Sequence, residues 1–325
     1  MYRPINYDYI DNKIDKSRAR DEVDSYAEQV LKNNRKPRIK ESDFIESFGQ
    51  DEVEKDGQLI TRLEEKFAEQ LEHLPLAEVQ MIKRGEKLGL LLEIIIAEQG
   101  EDFHWAGETA HFIRTSRYDD IVNSVDLIIE FEIDSTDQNQ LTPHRVALAV
   151  DASQNVEMIS QKMNRNLDKL LRRNGKKSPE IKYFQSVINP NIKGPLELVI
   201  PVVVGLEKNN TDHLTKLISN FQACDTKNKN KEYQETLNEK KQHLAELLKN
   251  HPAQTVFYRE IRAQLTAYLK ILISPDTQTA LYRAEISSIL NKFNHVKETK
   301  GNIDLGTCSS DLVMKTIENE SLLMK

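Results

Sequence analysis

Two aspartates occur inside apolar, strand-like stretches, where a solvated face is not the natural explanation. They are Asp126 in residues 124–133 (SVDLIIEFEI) and Asp151 in residues 145–153 (RVALAVDAS). In the first stretch Val125, Leu127, Ile129, Phe131 and Ile133 alternate with Asp126, Ile128, Glu130 and Glu132. In the second Val146, Leu148 and Val150 alternate with Ala147, Ala149 and Asp151. A period of two predicts strands, so each carboxylate is carried by a rigid element. Carboxylates on adjacent strand ends can hold Mg²⁺ or Mn²⁺ through oxygen. Such an ion polarises a phosphoryl oxygen and lowers the pKa of an attacking water, which is what phosphodiester hydrolysis requires. Asp119 and Asp120, on a loop just upstream, could add a ligand or position the strand. Glu86 and Glu93 are seven residues apart on a preceding helix and so share a face; Glu93, inside the apolar run, is the better placed of the two.

The formal charge of -7 argues at first against an anionic partner, but its distribution reverses that argument. Residues 1–100 carry 22 acids and 16 bases, a net of -6, and residues 101–157 carry 12 acids against three bases, a net of -9. Residues 158–325 hold 26 bases and 18 acids, a net of +8. The basic residues concentrate at Arg165, Lys169, Arg172, Arg173, Lys176, Lys177 and Lys182, with Tyr183 and Phe184 following. A basic helix and loop beside a carboxylate-rich strand region would suit phosphate contacts near a metal site.

The elements that must position these residues are predicted by periodicity and punctuation. Helices are expected over Ser17–Asn33, Leu59–His73 and Leu76–Gln99, the last with Pro75 near its first turn and Gly100 at its end. The stretch 50–58 reads as a loose charged connection. Ala110–Ser116 reads as a short strand. A helix over Asn155–Arg173 has the stripe Val156, Ile159, Met163, Leu167 and Leu170. Leu196–Leu206 (LELVIPVVVGL) reads as one strand covered on both faces. Helices follow over Thr211–Cys224, Lys231–Asn250, Pro252–Ile273 and Pro275–Val296. The expected organisation is a polar, partly helical appendage over 1–58, a core over 59–207, an α-helical extension over 208–298 and a mobile tail over 299–325. The fold class is α/β, more narrowly α+β: a mixed sheet flanked by helices.

Several chemistries are unsupported. Cys224 and Cys308 are too few and too distant for a disulfide framework or a cysteine-based zinc site. His104, Glu108 and His111 would make a metal-like face on a helix, but Gly100 and Gly107 argue against a helix there. No GxxxxGK[ST], GxGxxG or GxSxG occurs. No stretch reaches the roughly 18 apolar residues a membrane helix needs, and residues 1–15 are too polar for an export signal, so a cytoplasmic protein is expected.

The order helix, strands, helix, strand, with Asp126 on one strand and Asp151 on the next, resembles the PD-(D/E)XK nuclease superfamily over roughly Leu76–Glu207. Val125-Asp126 stands where that family has Pro-Asp, and Asp151-Ala152-Ser153 where it has acid-x-Lys. Arg117-Tyr118-Asp119-Asp120-Ile121, Ala147–Asp151, Ile181–Phe184 and Val204–Glu207 resemble segments of uncharacterised bacterial members. The resemblance implies a restriction-endonuclease-like core and a Mg²⁺- or Mn²⁺-dependent nuclease, with DNA ahead of RNA as substrate. It also implies Asp126 and Asp151 as metal ligands, with Glu93 and Asp120 assisting. Ser153 departs from the pattern. Some members carry the lysine on the following helix, and Lys162 stands there. The departure keeps a second reading open: a catalytically degenerate module that binds nucleic acid or protein, with the C-terminal helices as the surface for a partner or a homodimer.

Overall fold

The computed structural model describes residues 24–133, 144–172, 178–225, 231–300 and 305–324, which are of mixed α and β structure: helices, one four-stranded sheet and one two-stranded sheet. The chain divides into two compact units. The smaller comprises 1–34 and 208–250; its described part holds helix α1 (24–32), α6 (Lys208–Ala223) and α7 (Lys231–Lys249). Within it Gln29 and Ser219 exchange hydrogen bonds between α1 and α6. The larger unit, 35–207 with 251–325, contains all the strands among the described residues.

The main sheet has four strands: β1 (Ala110–Arg114), β2 (Leu127–Ile133), β3 (His144–Ser153) and β6 (Ile200–Gly205), side by side in that order. The first three run antiparallel, and β6 runs parallel to β3. A parallel pair needs a crossover, and helix α5 (Val156–Leu170) supplies it. Within the larger unit the long helices α3 (Gln50–Glu72) and α4 (Leu76–Asp102) precede the sheet, while α8 (Ala253–Ile271), α9 (Thr277–Lys300) and α10 (Leu312–Leu323) follow it. A short helix α2 (Ile45–Phe48) leads into α3.

The alternation of the strands sorts their side chains onto two buried faces. On one, Phe112 meets Phe257 of α8 and Phe131 meets Phe293 of α9, each with ring centroids 5.9 Å apart. On the other, Ile113, Val125, Ile128, Ala147 and Ala149 pack with Ile181, Phe184 and Val199. Ile181 and Phe184 come from a separate hairpin, β4 (Glu180–Gln185) with β5 (Lys193–Glu197). Residues 196–206, expected as one strand, are therefore two. Leu198, at φ 59°, turns the chain from β5 in one sheet to β6 in the other, a turn that hydropathy does not reveal.

Strand β6 lies at an edge, where unpaired backbone groups would be exposed to pairing by another chain. Helix α8 satisfies them with side chains. Gln264 accepts the Val203 N–H at 2.9 Å and donates to the Val203 carbonyl at 2.6 Å. Glu260 accepts the Gly205 N–H at 2.9 Å, and the Tyr268 hydroxyl donates to the Pro201 carbonyl at 2.9 Å. The spacings match: residues 260, 264 and 268 span about 12 Å of helix, and residues 205, 203 and 201 about 13 Å of strand.

Other expectations need correction. Residues 50–58 are not a loose connection but the first turns of α3, where Val53 and Asp56 are buried. Gly100 does not end α4, which runs on to Asp102. Within 299–325, expected as a mobile tail, α10 buries Val313 and Ile317 against Ile159, Met163 and Val203. Asp311 caps that helix through the Met314 N–H and also accepts the Glu207 N–H. No helix among the described residues is long and apolar enough to cross a membrane.

Candidate metal centre and cleft

Asp126 lies one residue before β2, and its backbone is tied on both sides. Its N–H donates to the Val150 carbonyl at 2.9 Å, and its carbonyl accepts from Thr115 N–H at 3.1 Å. The β2–β3 register pairs Leu127 with Val150; one further step sets Asp126 opposite Asp151, and opposite residues project to the same face. The Asp126 carboxylate also accepts the Ala152 N–H at 2.7 Å. Both aspartates line a cleft of about 600 Å³, a volume typical of ligand sites.

Three carboxylates converge in this cleft. Ligand oxygens of Glu93, Asp120 and Asp126 all lie within 4.8 Å of one another. Glu93 comes from the buried second half of α4, and Asp120 from a π-helical turn, Asp119–Asn123, that leads into β2. Asp151 is not in this group. Its Oδ1 accepts from Lys162 Nζ at 2.6 Å and its Oδ2 from Arg165 Nη2. Lys162, Arg165 and Lys169 follow at i, i+3 and i+7 on α5 and so share a face. Asn155 starts that helix by accepting the Glu157 N–H at 3.0 Å. Lys162 also donates to the Ala152 carbonyl at 3.2 Å. Ser153 stays out of the cleft lining, its hydroxyl accepting the Asn155 N–H at 3.3 Å in the turn before α5.

Arginines answer the carboxylates. Arg38 reaches in from the segment 35–40, its Nη2 2.6 Å from Glu93 Oε2 and its Nη1 3.0 Å from Asp120 Oδ2. Arg117 pairs with Asp120 at 2.9 Å, and the buried Arg114 lies 3.4 Å from Glu93. Among the described residues Asp126 has no cation at ion-pair distance. Burial pushes its carboxyl well above the usual carboxylate range, the charges of Asp151, Glu93 and Asp120 push it further, and the Ala152 N–H opposes them. Burial likewise raises Glu93, against the pull of Arg38. Overall the lining balances five acids (Glu86, Glu93, Asp120, Asp126, Asp151) against five bases (Arg38, Lys87, Arg117, Lys162, Arg165).

The donor set is all oxygen, the ligand type of a hard divalent ion, and these three carboxylates could hold one between them.

Asp119 is buried and structural: its carboxylate accepts from the Ser116 and Asn123 side chains and from the Lys182 and Tyr183 N–H groups. Lys169 donates to the Asn123 carbonyl, Arg172 pairs with Asp276 at 3.5 Å, and Lys182 pairs with Glu52 and Asp56. Arg173, Lys176 and Lys177 lie outside the described residues. Arg38 and Arg114 carried no functional expectation: Arg38 stands in an unpatterned polar segment, and Arg114 was read only as part of the short strand Ala110–Ser116. Comparison with protein-family models, with curated proteins and with solved structures returned no match.

Proposed function

We propose that the protein is a metal-dependent nuclease of PD-(D/E)XK type, hydrolysing phosphodiester bonds of nucleic acid, with DNA the expected substrate. The observation that carries this reading is the convergence of the Glu93, Asp120 and Asp126 oxygens within 4.8 Å. The strand order supports it too: a helix, three antiparallel strands, a crossover helix and a parallel fourth strand, with the acids at the ends of β2 and β3. In this reading Glu93, Asp120 and Asp126 would hold Mg²⁺ or Mn²⁺, which would supply Lewis-acid polarisation of the phosphoryl oxygen and a more acidic attacking water. Asp151 holds Lys162 and Arg165 toward the cleft, so a lysine from α5 takes the role that Ser153 cannot fill. Arg165 and Lys162 then meet the charge that develops on the phosphoryl oxygens.

Incubation of the purified chain with plasmid or single-stranded oligonucleotide in Mg²⁺ or Mn²⁺ tests the proposal. Cleavage is expected for the wild-type chain and a loss of at least about 100-fold for Asp126→Asn and for Lys162→Met. No cleavage by the wild type, or equal cleavage by Asp126→Asn, defeats it.

One observation favours a second reading, the catalytically degenerate binding module. Glu93, Asp120 and Asp151 each already have an arginine or lysine partner. In that case nucleic-acid binding should persist in a chelator, and calorimetry should detect no Mg²⁺ binding.

A further inference from the structure

The segment 35–40 is pinned as a strap along the β1 edge. The Ile39 N–H donates to the Arg114 carbonyl at 3.2 Å, Arg114 Nη1 donates to the Lys36 carbonyl at 3.1 Å, and Ile39 packs against the core that contains Ile113 and Phe184. In an extended segment neighbouring side chains point to opposite sides. Ile39 faces the core, and Arg38 faces the cleft. There its guanidinium bridges Glu93 and Asp120, two of the three converging carboxylates. The fit is incomplete: Nη2 makes a hydrogen bond to Glu93, whereas Nη1 is buried, in ionic contact with Asp120 but without a hydrogen bond. A cation is thus seated on the oxygens that a divalent ion would need.

We infer that Arg38 and a divalent ion are alternative counterions for Glu93 and Asp120, so that ion binding displaces the Arg38 guanidinium and Arg38 sets the ion affinity of the cleft. This rests on the metal-site reading above. Arg38 acts here as a positioning residue: without the ion it holds Glu93 and Asp120 close despite their like charges. On displacement its guanidinium is released at the cleft wall, free to meet an anionic ligand.

The test is calorimetric titration of the full chain with Mn²⁺, without nucleic acid. The proteins compared are wild type, Arg38→Gln, Arg38→Lys and Arg35→Gln. Arg35 belongs to the same strap but pairs with Glu98 and Asp102, outside the cleft lining; its variant controls for the loss of one charge. Arg38→Gln should bind Mn²⁺ about tenfold more tightly than wild type, a coupling of ordinary size. Arg38→Lys, which keeps the charge without the fork, should fall between, and Arg35→Gln should change affinity less than about twofold through screened charge alone. In wild type, the Arg38 Nε–H resonance should shift during a Mg²⁺ titration, a readout that does not depend on how well a variant folds. Unchanged or weaker binding by Arg38→Gln alongside a bound ion in wild type overturns the exchange while leaving the metal site standing. Absence of ion binding in all four proteins overturns both.

Discussion

The Asp126 carboxylate accepts the backbone N–H of Ala152 at 2.7 Å, across the β2–β3 pair. The bond fixes the carboxylate's orientation beside Asp151 and leaves its other oxygen for the cleft. Asparagine can make the same bond through its side-chain oxygen. Asp126→Asn should therefore fold with at least wild-type stability, since it removes a carboxyl whose charged form is opposed by burial and three acids, yet it should lose ion binding. Asp126→Ala should lose both, with a stability cost of about 1–3 kcal/mol for the orphaned Ala152 donor. Thermal melts and Mn²⁺ calorimetry separate the two effects.

Ion affinity should depend on pH. The folded-state carboxyls of Asp126 and Glu93 sit above their usual range, so protons compete with an ion for them at pH values where an ordinary carboxylate is already ionised. Affinity should climb as pH rises above the ordinary carboxylate range, and binding should release protons. Calorimetry in two buffers of different ionisation enthalpy measures the release; an affinity that does not change with pH and no proton release would contradict the assignment of these ligands.

Asp151 should behave differently from Asp126. It is the partner of Lys162 and Arg165, so Asp151→Ala should destabilise the fold by about 1–3 kcal/mol and impair cleavage, while weakening Mn²⁺ binding far less than Asp126→Asn does. Equal loss of ion affinity in the two variants would make Asp151 a ligand after all.

The cover over the β6 edge predicts asymmetry between two α8 residues. Burial raises the Glu260 carboxyl well above its usual range, so Glu260→Gln should be tolerated at pH 7. Gln264→Leu orphans both backbone groups of Val203, at about 1–3 kcal/mol each, and should lower the melting temperature and expose the edge to association. Denaturant melts and light scattering check both outcomes.

Glu285 of α9 gives a pH signature outside the cleft. Burial raises its carboxyl to about 7 from an ordinary 4.5. A group bound more tightly to its proton in the folded state contributes fully below the unfolded value and loses that contribution as pH rises to the folded one. Stability should fall between about pH 4.5 and 7, and Glu285→Gln should remove that part of the slope in urea melts.

The strand-borne acids were legible because period-two alternation is a local signal: Asp126 and Asp151 stand next to each other across β2 and β3 as the pattern implied, and Lys162 turns toward Asp151 as its place on α5 allowed. Asp120 and Glu93 were legible as candidates, but their convergence on Asp126, with Asp151 left to Lys162, depends on side-chain geometry that spacing does not encode. Arg38 was illegible. It lies in a polar segment with no periodicity, more than fifty residues from its partner Glu93, and only the docking of Ile39 beside β1 delivers it. The same limit applies to α10, whose buried Val313 and Ile317 gain meaning only where α5 and β6 receive them, and to the break at Leu198, which a backbone turn decides.

If Glu93, Asp120 and Asp126 form an ion site, anomalous diffraction from crystals grown in Mn²⁺ should reveal it directly. One strong peak is expected within coordination distance of all three carboxylates, with the Arg38 guanidinium withdrawn from Glu93. No peak there, with Arg38 still bridging Glu93 and Asp120, would contradict it.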